Sequence, residues 1–314
     1  MRFGAHLPLM DFGGNPYTLD HLVAYTRAAD KLGFDVLAAN DHLVFAVPWL
    51  DGPTALAAVA GASGAMTLAT TVALPVVRGP VQLAKSLGAI DRLSGGRLLV
   101  AVGPGSSPRD HEIVGLDFDE RWKRLDEAIP ALRALWTDGA EPYDGRFYST
   151  HGVELRPYPA RPGGPPIWIG SWGSDAGLRR VARLGDGWLA SAYNTTPDEF
   201  AVAWTRLRSV LADHGKDPDT FPNGLATMWF HLTDDDDEAD RIVAERIVAT
   251  INRPPDVLRD RLPVGPASRM IEKLIAFRAA GVQRVLVWPV TDEVEQLERF
   301  ARLVIPSLTD RGPP

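Results

Sequence analysis

The chain has 314 residues, of which 45% are hydrophobic and 23% are charged, so a sizeable core is available and extensive disorder is not expected. The formal net charge of -7 disfavours nucleic-acid binding, and the absence of cysteine excludes disulfides, thiolate metal sites and a cysteine nucleophile. No apolar run approaches the roughly 20 residues of a membrane span, and the N-terminal MRFGAHLPL lacks the apolar stretch of a signal peptide. These features predict a cytoplasmic protein.

Short apolar runs alternate with amphipathic helices along the first part of the chain. The predicted strands cover residues 2–7, 34–39, 66–73 and 98–102. The predicted helices cover residues 19–32, 54–64 and 81–93, and Gly33 ends the first of them. A fourth helix is predicted over residues 121–136.

Residues 138–166 interrupt this order, because their composition shifts to proline, glycine, tyrosine and arginine. This segment is predicted to be an irregular excursion from the core. Beyond it, strands are predicted at 166–170, 185–191, 225–232 and 284–290, and helices at 175–184, 197–214, 268–280 and 292–304. The run TDDDDEAD predicts an additional acidic helix start.

About eight strand–helix units with uniformly apolar strands predict parallel strands that are buried on both faces. In this length they favour a single α/β domain over residues 1–314, a closed (β/α)8 TIM barrel with the 138–166 excursion. An open doubly wound sheet remains the alternative, because periodicity alone does not show closure.

The predicted strand ends carry small uncharged residues, as in LATTVALPVV, VGPGSS and IGSWGS. Several reaction classes are excluded by motif: no metal-ligand cluster, no opposed carboxylate pair, no G-x-S-x-G elbow and no Walker A sequence occurs. Small residues permit close approach of the backbone to a large flat ligand. The helix after the fifth strand, which contains Arg179 and Arg180, offers amides to an anion. Arg78 and Arg109 are further candidates for an anionic tail.

The pattern resembles the bacterial luciferase-like monooxygenase superfamily over nearly the whole chain. The resemblance rests on MRFGAHLP, AADKLGFDVLAANDH, PPIWIGSWG, RRVARLGDGWL and AAGVQRVLV, and above all on the long segment LATTVALPVVRGPVQLAKSLGAIDRLSGGRLLVAVGPG. Within the superfamily, the chain is most similar to the branch that uses the deazaflavin coenzyme F420.

The resemblance implies site residues. It implies a non-proline cis peptide between Thr71 and Val72 against the deazaflavin, a cofactor contact at Asp41, and a catalytic role for His42 as proton donor or polar orienter. It further implies that the glycine-rich segment after the fifth strand holds the phosphate-bearing tail. The expected cofactor-binding residues are Asp41, Thr71, Val72, Leu74, Pro104, Gly105, Gly173, Ser174, Ala176 and Gly177.

One position departs from the family pattern. F420-dependent sugar-phosphate dehydrogenases carry an acidic residue where Ser106 stands, and their lysine cluster is not recognisable, so a sugar phosphate is not expected as the substrate. The leading hypothesis is F420-dependent hydride transfer to or from a small organic molecule, in a homodimer by analogy. The alternatives are an FMN-dependent monooxygenase and a non-catalytic flavin-binding protein.

The remaining histidines and tryptophans allow two interpretations each. His6 either points into the barrel or simply packs, whereas His111 and His231 are expected to be structural. Trp49, Trp172 and Trp288 lie near the expected barrel mouth, as substrate walls or as core. No metal is expected.

Overall fold

Eight parallel strands close into a ring in the computed structural model, which describes residues 1–14, 16–251 and 253–308. Seven consecutive strands pair in chain order, and a ninth strand lies between the seventh and the first and closes the ring. They are β1 (Arg2–His6), β2 (Val36–Ala39), β3 (Thr67–Ala73), β4 (Leu98–Val102), β5 (Ile167–Gly170), β6 (Gly187–Ser191), β7 (Asn223–Leu232) and β9 (Arg284–Pro289). The two-residue β8 (Val264–Gly265) pairs only with the end of β7. The predicted (β/α)8 barrel is therefore confirmed, and the open-sheet alternative is wrong.

Helices surround this ring and connect its strands. The first half contains α1 (Leu19–Lys31), α2 (Gly52–Val59), α3 (Pro75–Arg78), α4 (Pro80–Leu93), α5 (Pro108–Ile113) and α6 (Arg121–Trp136). The second half contains α7 (Asp175–Leu184), α8 (Pro197–Leu211), α9 (Asp236–Arg241), α10 (Val248–Thr250), α11 (Pro255–Arg261), α12 (Ala267–Ala279), α13 (Glu293–Leu303) and α14 (Ile305–Leu308). Short 3-10 turns cover Ala60–Ala62, Phe118–Glu120 and Ala212–His214, and a π-helical stretch covers Ile242–Ile247.

The strands lie in the core of the protein, and nearly every strand residue is buried. All five residues of β4 and all ten of β7 are buried, as parallel strands between an inner core and outer helices require. The longer helices turn an apolar face inward; α1, for example, buries Leu22, Tyr25 and Ala29. Among the described residues, no helix combines the length and the apolar character needed to cross a bilayer.

Most predicted elements have the predicted bounds within a few residues, and the deviations have local causes. The helix predicted at 54–64 begins two residues earlier, because the Asp51 side chain accepts the Thr54 amide and Pro53 lies in the first turn. Its last part is a 3-10 turn. The excursion at 138–166 contains no helix or longer strand, only an isolated antiparallel bridge between Asp144 and Ser149.

A second apolar cluster lies outside the main core. It joins the loop after β1, the segment between β7 and β9, and two large rings from the strand ends, Trp229 and Trp288. The cluster also contains Met10, Phe12, Ile242, Val243, Ile247, Leu258, Leu262, Val264 and Val290. This cluster therefore covers one side of the ring of strand ends, next to the site described below.

Candidate functional site

A cavity of about 360 Å³ opens at the carboxyl ends of the strands, where barrel enzymes carry their sites. Six neighbouring strands, from β2 to β7, contribute to its wall. The lining residues are Asn40, Asp41, His42, Thr71, Val72, Leu74, Gly103, Pro104, Gly105, Ser106, Phe118, Arg121, Trp122, Gly170, Ser171, Trp172, Ser174, Leu189, Ala190, Ser191, Tyr193, Ala226 and Thr227.

The floor of the cavity is a bulge at the end of β3. The peptide bond between Thr71 and Val72 is cis, as predicted, and the pairing with β4 shifts register between Thr71 and Ala73. The Asn40 side chain holds the bulge in place, since its Oδ1 accepts the amides of Val72 (3.1 Å) and Asp41 (2.8 Å). The bulge therefore aims backbone and a small apolar side chain into the cavity.

Two glycines make room for this bulge. A Cβ on Gly103 would lie 2.7 Å from Val72 Cγ2, and a Cβ on Gly170 would lie 2.9 Å from Val72 Cγ1. Any larger residue at either position would push Val72 into the cavity. Thr71 Oγ1 is buried at this floor without a hydrogen-bond partner, which is costly for a polar atom unless a ligand pairs with it.

Asp41 lies in the cavity wall, but its carboxylate is engaged by the protein. Arg78 donates to both of its oxygens (2.7 and 2.6 Å), and the Leu74 amide donates at 3.3 Å. Arg78 also pairs with Asp51, the N-cap of α2. The geometry gives Asp41 a clear structural role in joining β2 to α3, whereas its expected cofactor contact stays a prediction.

His42 lies beside Asp41 and forms a dyad with a carboxylate that the sequence did not reveal. Its Nδ1 donates to Oδ2 of Asp110 at 2.9 Å. Asp110 is fully buried, and its Oδ1 accepts the amides of Leu43 (3.2 Å) and Val44 (2.9 Å). With Nδ1 occupied, Nε2 is the nitrogen of His42 that remains available to a ligand.

The charge state of Asp110 suits this role. Burial alone would raise the pKa of its carboxyl, but the hydrogen bonds from His42 and from the Val44 and Leu43 amides outweigh burial and leave the pKa below its ordinary value. Asp110 is therefore an anion at neutral pH, which holds the Nδ1 proton of His42 in place.

The segment after β5 only partly follows the expectation. Ser174 lines the cavity, whereas Gly173, Ala176 and Gly177 are not among the lining residues. Ser174 is the N-cap of α7 and its Oγ accepts the Gly177 amide (3.2 Å). A Cβ on Gly177 would lie 2.2 Å from Ser171 Oγ, so this glycine also has a packing role. Cofactor binding by these three residues stays a prediction.

A cation that was not predicted, Arg121, lies in a part of the cavity wall that solvent reaches, which we call the outer end. Arg121, the first residue of α6, places its guanidinium 3.8 Å from the centre of the Phe118 ring, and its nearest carboxylate, on Asp119, is 4.0 Å away. Trp172 also lines the cavity and is 59% exposed.

The arginines proposed from sequence are in other positions. Arg78 is held by two aspartates, Arg109 pairs with Glu112, and Arg180 pairs with Asp126. Arg179 is exposed. None of these four is among the residues that line the cavity.

His6, His111 and His231 each contact another part of the protein through at least one ring nitrogen. His6 is fully buried, donates from Nδ1 to the Leu7 carbonyl (2.9 Å) and stacks on Trp288 at 3.5 Å. His231 contacts Glu238 and Thr291. Both ring nitrogens of His111 lie within hydrogen-bond distance of carbonyls, those of Ser107 and Pro104. Within the described ranges, no group of three or more His, Cys, Asp or Glu residues could hold a metal ion.

Sequence reasoning missed several residues of the site. Asp110 had a usable signal, because Ser107 followed by Pro108 predicts a helix start directly after β4. Ser191 and Thr227, whose hydroxyls lie 2.8 Å apart, had a weaker signal, since they are polar residues within the mostly apolar strands β6 and β7. Phe118, Arg121, Trp122 and Tyr193 had none, because their approach depends on loop paths.

Comparison with known proteins adds independent findings. The model of the family described as luciferase-like monooxygenase matches residues 1–258. Among curated proteins, the F420-dependent hydroxymycolic acid dehydrogenase of Mycobacterium tuberculosis is 27% identical, covering 93% of this chain and 85% of the relative. The 5,10-methylenetetrahydromethanopterin reductase of Archaeoglobus fulgidus is 31% identical, covering 82% of this chain and 73% of the relative.

A solved structure of similar fold is an F420-dependent secondary alcohol dehydrogenase in complex with an F420-acetone adduct. It has a TM-score of 0.84 at 19% identity and covers 98% of this chain and 99% of its own. At this identity the likeness concerns the fold.

Proposed function

The chain belongs to the luciferase-like monooxygenase family, and from this membership together with the cavity we propose that it is an oxidoreductase that uses coenzyme F420. The reaction is hydride transfer between the deazaflavin and a small organic molecule. The F420-dependent hydroxymycolic acid dehydrogenase of Mycobacterium tuberculosis, which aligns over 93% of this chain, supports this choice of cofactor.

The cavity floor is the observation that carries the proposal. A flat ring needs a surface without projecting charge, and the bulge at Val72, flanked by Gly103 and Gly170, supplies one. The unpartnered Thr71 Oγ1 and the backbone of the bulge supply polar atoms at the edge of that surface. The residues present therefore fit a tricyclic ring.

The outer end of the cavity fits an acidic tail. The N-terminus of α7 carries the positive end of the helix dipole, and Arg121 adds a cation whose nearest carboxylate is 4.0 Å away. An extended tail with several negative charges gains more from this end than the single phosphate of FMN does. This comparison favours F420 over FMN.

The protein then has two tasks in the reaction. When bound, the deazaflavin supplies or accepts the hydride. His42 exchanges a proton with the substrate oxygen through Nε2, while Asp110 fixes the orientation and tautomer of the imidazole through Nδ1. The floor of the cavity is held by Asn40, Asp41 and Arg78. These residues affect the reaction only by fixing the shape of the floor.

Titration of the purified protein with F420 and with FMN, each followed by fluorescence, tests the proposal. We expect saturable binding of F420 and at least about tenfold weaker binding of FMN, equivalent to about 1.4 kcal/mol. Tight binding of FMN without binding of F420 would instead establish the FMN-dependent monooxygenase. Binding of F420 without turnover of any alcohol or carbonyl compound would indicate a non-catalytic carrier. In such a carrier the space beside the cofactor is expected to be blocked, whereas His42 lines an open cavity here.

The proposal also covers the domain organisation, the oligomeric state, the location and the kind of substrate. The chain acts as one barrel domain over residues 1–314, with 138–166 as an irregular insertion. It is a homodimer, by analogy with the family, and it works in the cytoplasm on a small-molecule substrate. Size-exclusion chromatography with light scattering tests the dimer directly.

A further inference from the structure

One residue of β7 has a strained backbone. Thr227 has a φ of 56°, in the left-handed region that β-branched residues avoid. Between Leu225 and Met228 the pairing of β7 with β9 shifts register, so β7 carries one residue more than β9 there. Thr227 is therefore part of a β-bulge. Glycine is the residue that usually takes a left-handed position in a bulge, because it has no Cβ to clash with the backbone.

The bulge changes which side chains face the cavity. In a regular strand, successive side chains alternate between the inside of the ring and the outer helices. Ala226 belongs to an apolar cluster of strand residues inside the ring, and Met228 belongs to the main core. Thr227, between them, lines the cavity together with Ala226. The strained conformation thus adds the Thr227 side chain to the cavity wall, and bulges beside active sites often re-aim a side chain in this way.

The Thr227 hydroxyl lies against a second hydroxyl, that of Ser191 on β6. The two oxygens are 2.8 Å apart, and Ser191 also lines the cavity. Ser191 follows Leu189 by two residues on β6, and Leu189 belongs to the cluster inside the ring, so both side chains face inward. Ser191 and Thr227, which we call the hydroxyl pair, keep 9% and 7% of their surface exposed and can be reached from the cavity.

The protons of the hydroxyl pair are already donated within the protein. Arg253 donates to Oδ1 of Asn194 (2.5 Å), which turns the amide NH₂ of Asn194 toward Ser191 Oγ (3.1 Å). Thr227 donates its proton to the Ala226 carbonyl (2.7 Å), so the proton between the two hydroxyls comes from Ser191. The lone pairs that remain on the hydroxyl pair can therefore only accept hydrogen bonds.

The hydroxyl pair lies across the barrel from the bulge at Val72. In the ring of eight strands, β7 is the fourth strand from β3 in either direction, and β6 adjoins β7. A flat ring that rests on Val72 therefore has its other face toward the hydroxyl pair. The second reactant of a hydride transfer lies at that free face, between the ring and the pair.

We propose that the hydroxyl pair determines substrate specificity and selects a substrate with an uncharged O–H or N–H donor apart from the group that reacts. The inference rests on the proposed F420-dependent function and names a substrate feature that the same site recognises. Ser191 Oγ and Thr227 Oγ1 accept from this donor and fix the substrate opposite Val72. A carboxylate or phosphate gains nothing there, because its oxygens are acceptors too. The strain is retained because glycine in place of Thr227 would remove one acceptor.

Two probes of similar shape test the selection. Phenol carries an O–H donor, whereas fluorobenzene carries a fluorine that donates no hydrogen bond. Binding of each probe to the F420-loaded protein is measured by ligand-observed NMR, which does not depend on turnover. The quantity compared between proteins is the ratio of phenol affinity to fluorobenzene affinity, because this ratio cancels effects on the apolar ring. Absence of phenol binding by the wild-type protein would overturn the inference.

Variants assign the ratio to the hydroxyl pair. Thr227→Val keeps the shape of threonine and removes the hydroxyl, so we expect the ratio to fall about fivefold with F420 affinity unchanged. Ser191→Ala should also lower the ratio, and it leaves the strained residue intact. Thr205→Val, at an exposed threonine of α8, is the matched control and should keep the wild-type ratio.

Two results with these variants would contradict the inference. The first is a wild-type ratio in both Thr227→Val and Ser191→Ala. The second is a loss of F420 affinity with an unchanged ratio, which would assign the hydroxyl pair to the cofactor ring. Failure of the wild-type protein to bind F420 is a separate result, which sinks the proposed function instead.

Urea unfolding tests why the strain is retained. Thr227→Gly and Thr227→Val both lack the hydroxyl, but glycine adopts the left-handed conformation without strain. We expect a higher urea midpoint for Thr227→Gly than for Thr227→Val, and a lowered phenol ratio in both. An equal or lower midpoint for Thr227→Gly would show that the threonine is not strained, and would contradict the argument that substrate recognition keeps it there.

Discussion

The Nδ1 atom of His42 lies 2.9 Å from Oδ2 of Asp110, although 68 residues separate them in the chain. His42 follows β2 and Asp110 lies in the first turn of α5, after β4, so the barrel rather than the sequence brings the pair together. The resemblance to sugar-phosphate dehydrogenases pointed to Ser106 as the position where those enzymes would have an acid. Asp110 stands four residues after Ser106, and its carboxylate contacts the imidazole of His42.

Asp110→Asn tests the dyad. The amide oxygen can still accept the Leu43 and Val44 amides, but its NH₂ group would face Nδ1 and favour the wrong imidazole tautomer. We expect kcat for hydride transfer to fall on the order of 100-fold with F420 affinity nearly unchanged. The matched control is Glu112→Gln, an exposed carboxylate on the same helix, which should retain activity. A similar fall in kcat in both variants would show that substitutions in α5 act by disturbing the helix and not by breaking the contact between Asp110 and His42.

The buried ion pair between Arg78 and Asp41 predicts which of the two substitutions destabilises the fold more. Asp41→Asn leaves Arg78 with Asp51 and should lower the free energy of unfolding by about 2 kcal/mol, whereas Arg78→Gln strands a buried carboxylate and should cost about 3 kcal/mol or more. The double variant should lose less than the sum. Urea unfolding of the four proteins measures these differences; additive losses would argue against direct coupling of the pair.

The cavity floor can be perturbed through one glycine. Gly170→Ala places a methyl group 2.9 Å from Val72 Cγ1 and should displace this side chain toward the cofactor. We expect about tenfold weaker F420 binding, measured by fluorescence titration, with a small change in melting temperature. Gly61→Ala, where an added Cβ meets nothing within 4 Å, is the control. Normal F420 affinity in Gly170→Ala would mean that the ring does not rest on Val72.

The sequence predicted the scaffold better than the site. β4, α6 and α7 have the predicted bounds, because a buried apolar run or a strong helical period defines them locally. The cis bond at Val72 was predicted only through family resemblance. Tyr193 and Arg121 could not be placed, since their approach to the cavity depends on where a loop and a helix start come to rest around the barrel.

Arg121→Gln tests the outer end of the cavity. Loss of this guanidinium should weaken F420 binding about five- to tenfold at low salt, and the difference from wild type should shrink as salt screens the exposed tail. A deazaflavin that carries the ribityl chain but no phosphate should bind both proteins equally. Arg109→Gln, at an exposed arginine paired with Glu112, serves as control. Equal weakening for the tailless ligand would assign Arg121 to the ring and not to the tail.

His6 gives a prediction about pH and stability. Burial lowers the pKa of His6 to about 3 from its ordinary 6.5, although the hydrogen bond to the Leu7 carbonyl opposes the shift. The unfolded chain therefore binds a proton below pH 6.5 that the folded protein refuses until about pH 3. Stability from this group is complete above pH 6.5 and declines as the pH falls toward 3, by about 2 kcal/mol between pH 8 and pH 5.

His6→Phe keeps a ring against Trp288 and removes the titrating group. We expect the variant to lose about 2 kcal/mol less than wild type between pH 8 and pH 5, whatever its stability at pH 8, because the other titrating groups are common to both proteins. Urea unfolding at the two pH values measures this double difference. If both proteins lose the same stability, His6 must become protonated in the folded state well above pH 3, which would require an acceptor or water at Nε2 inside the barrel.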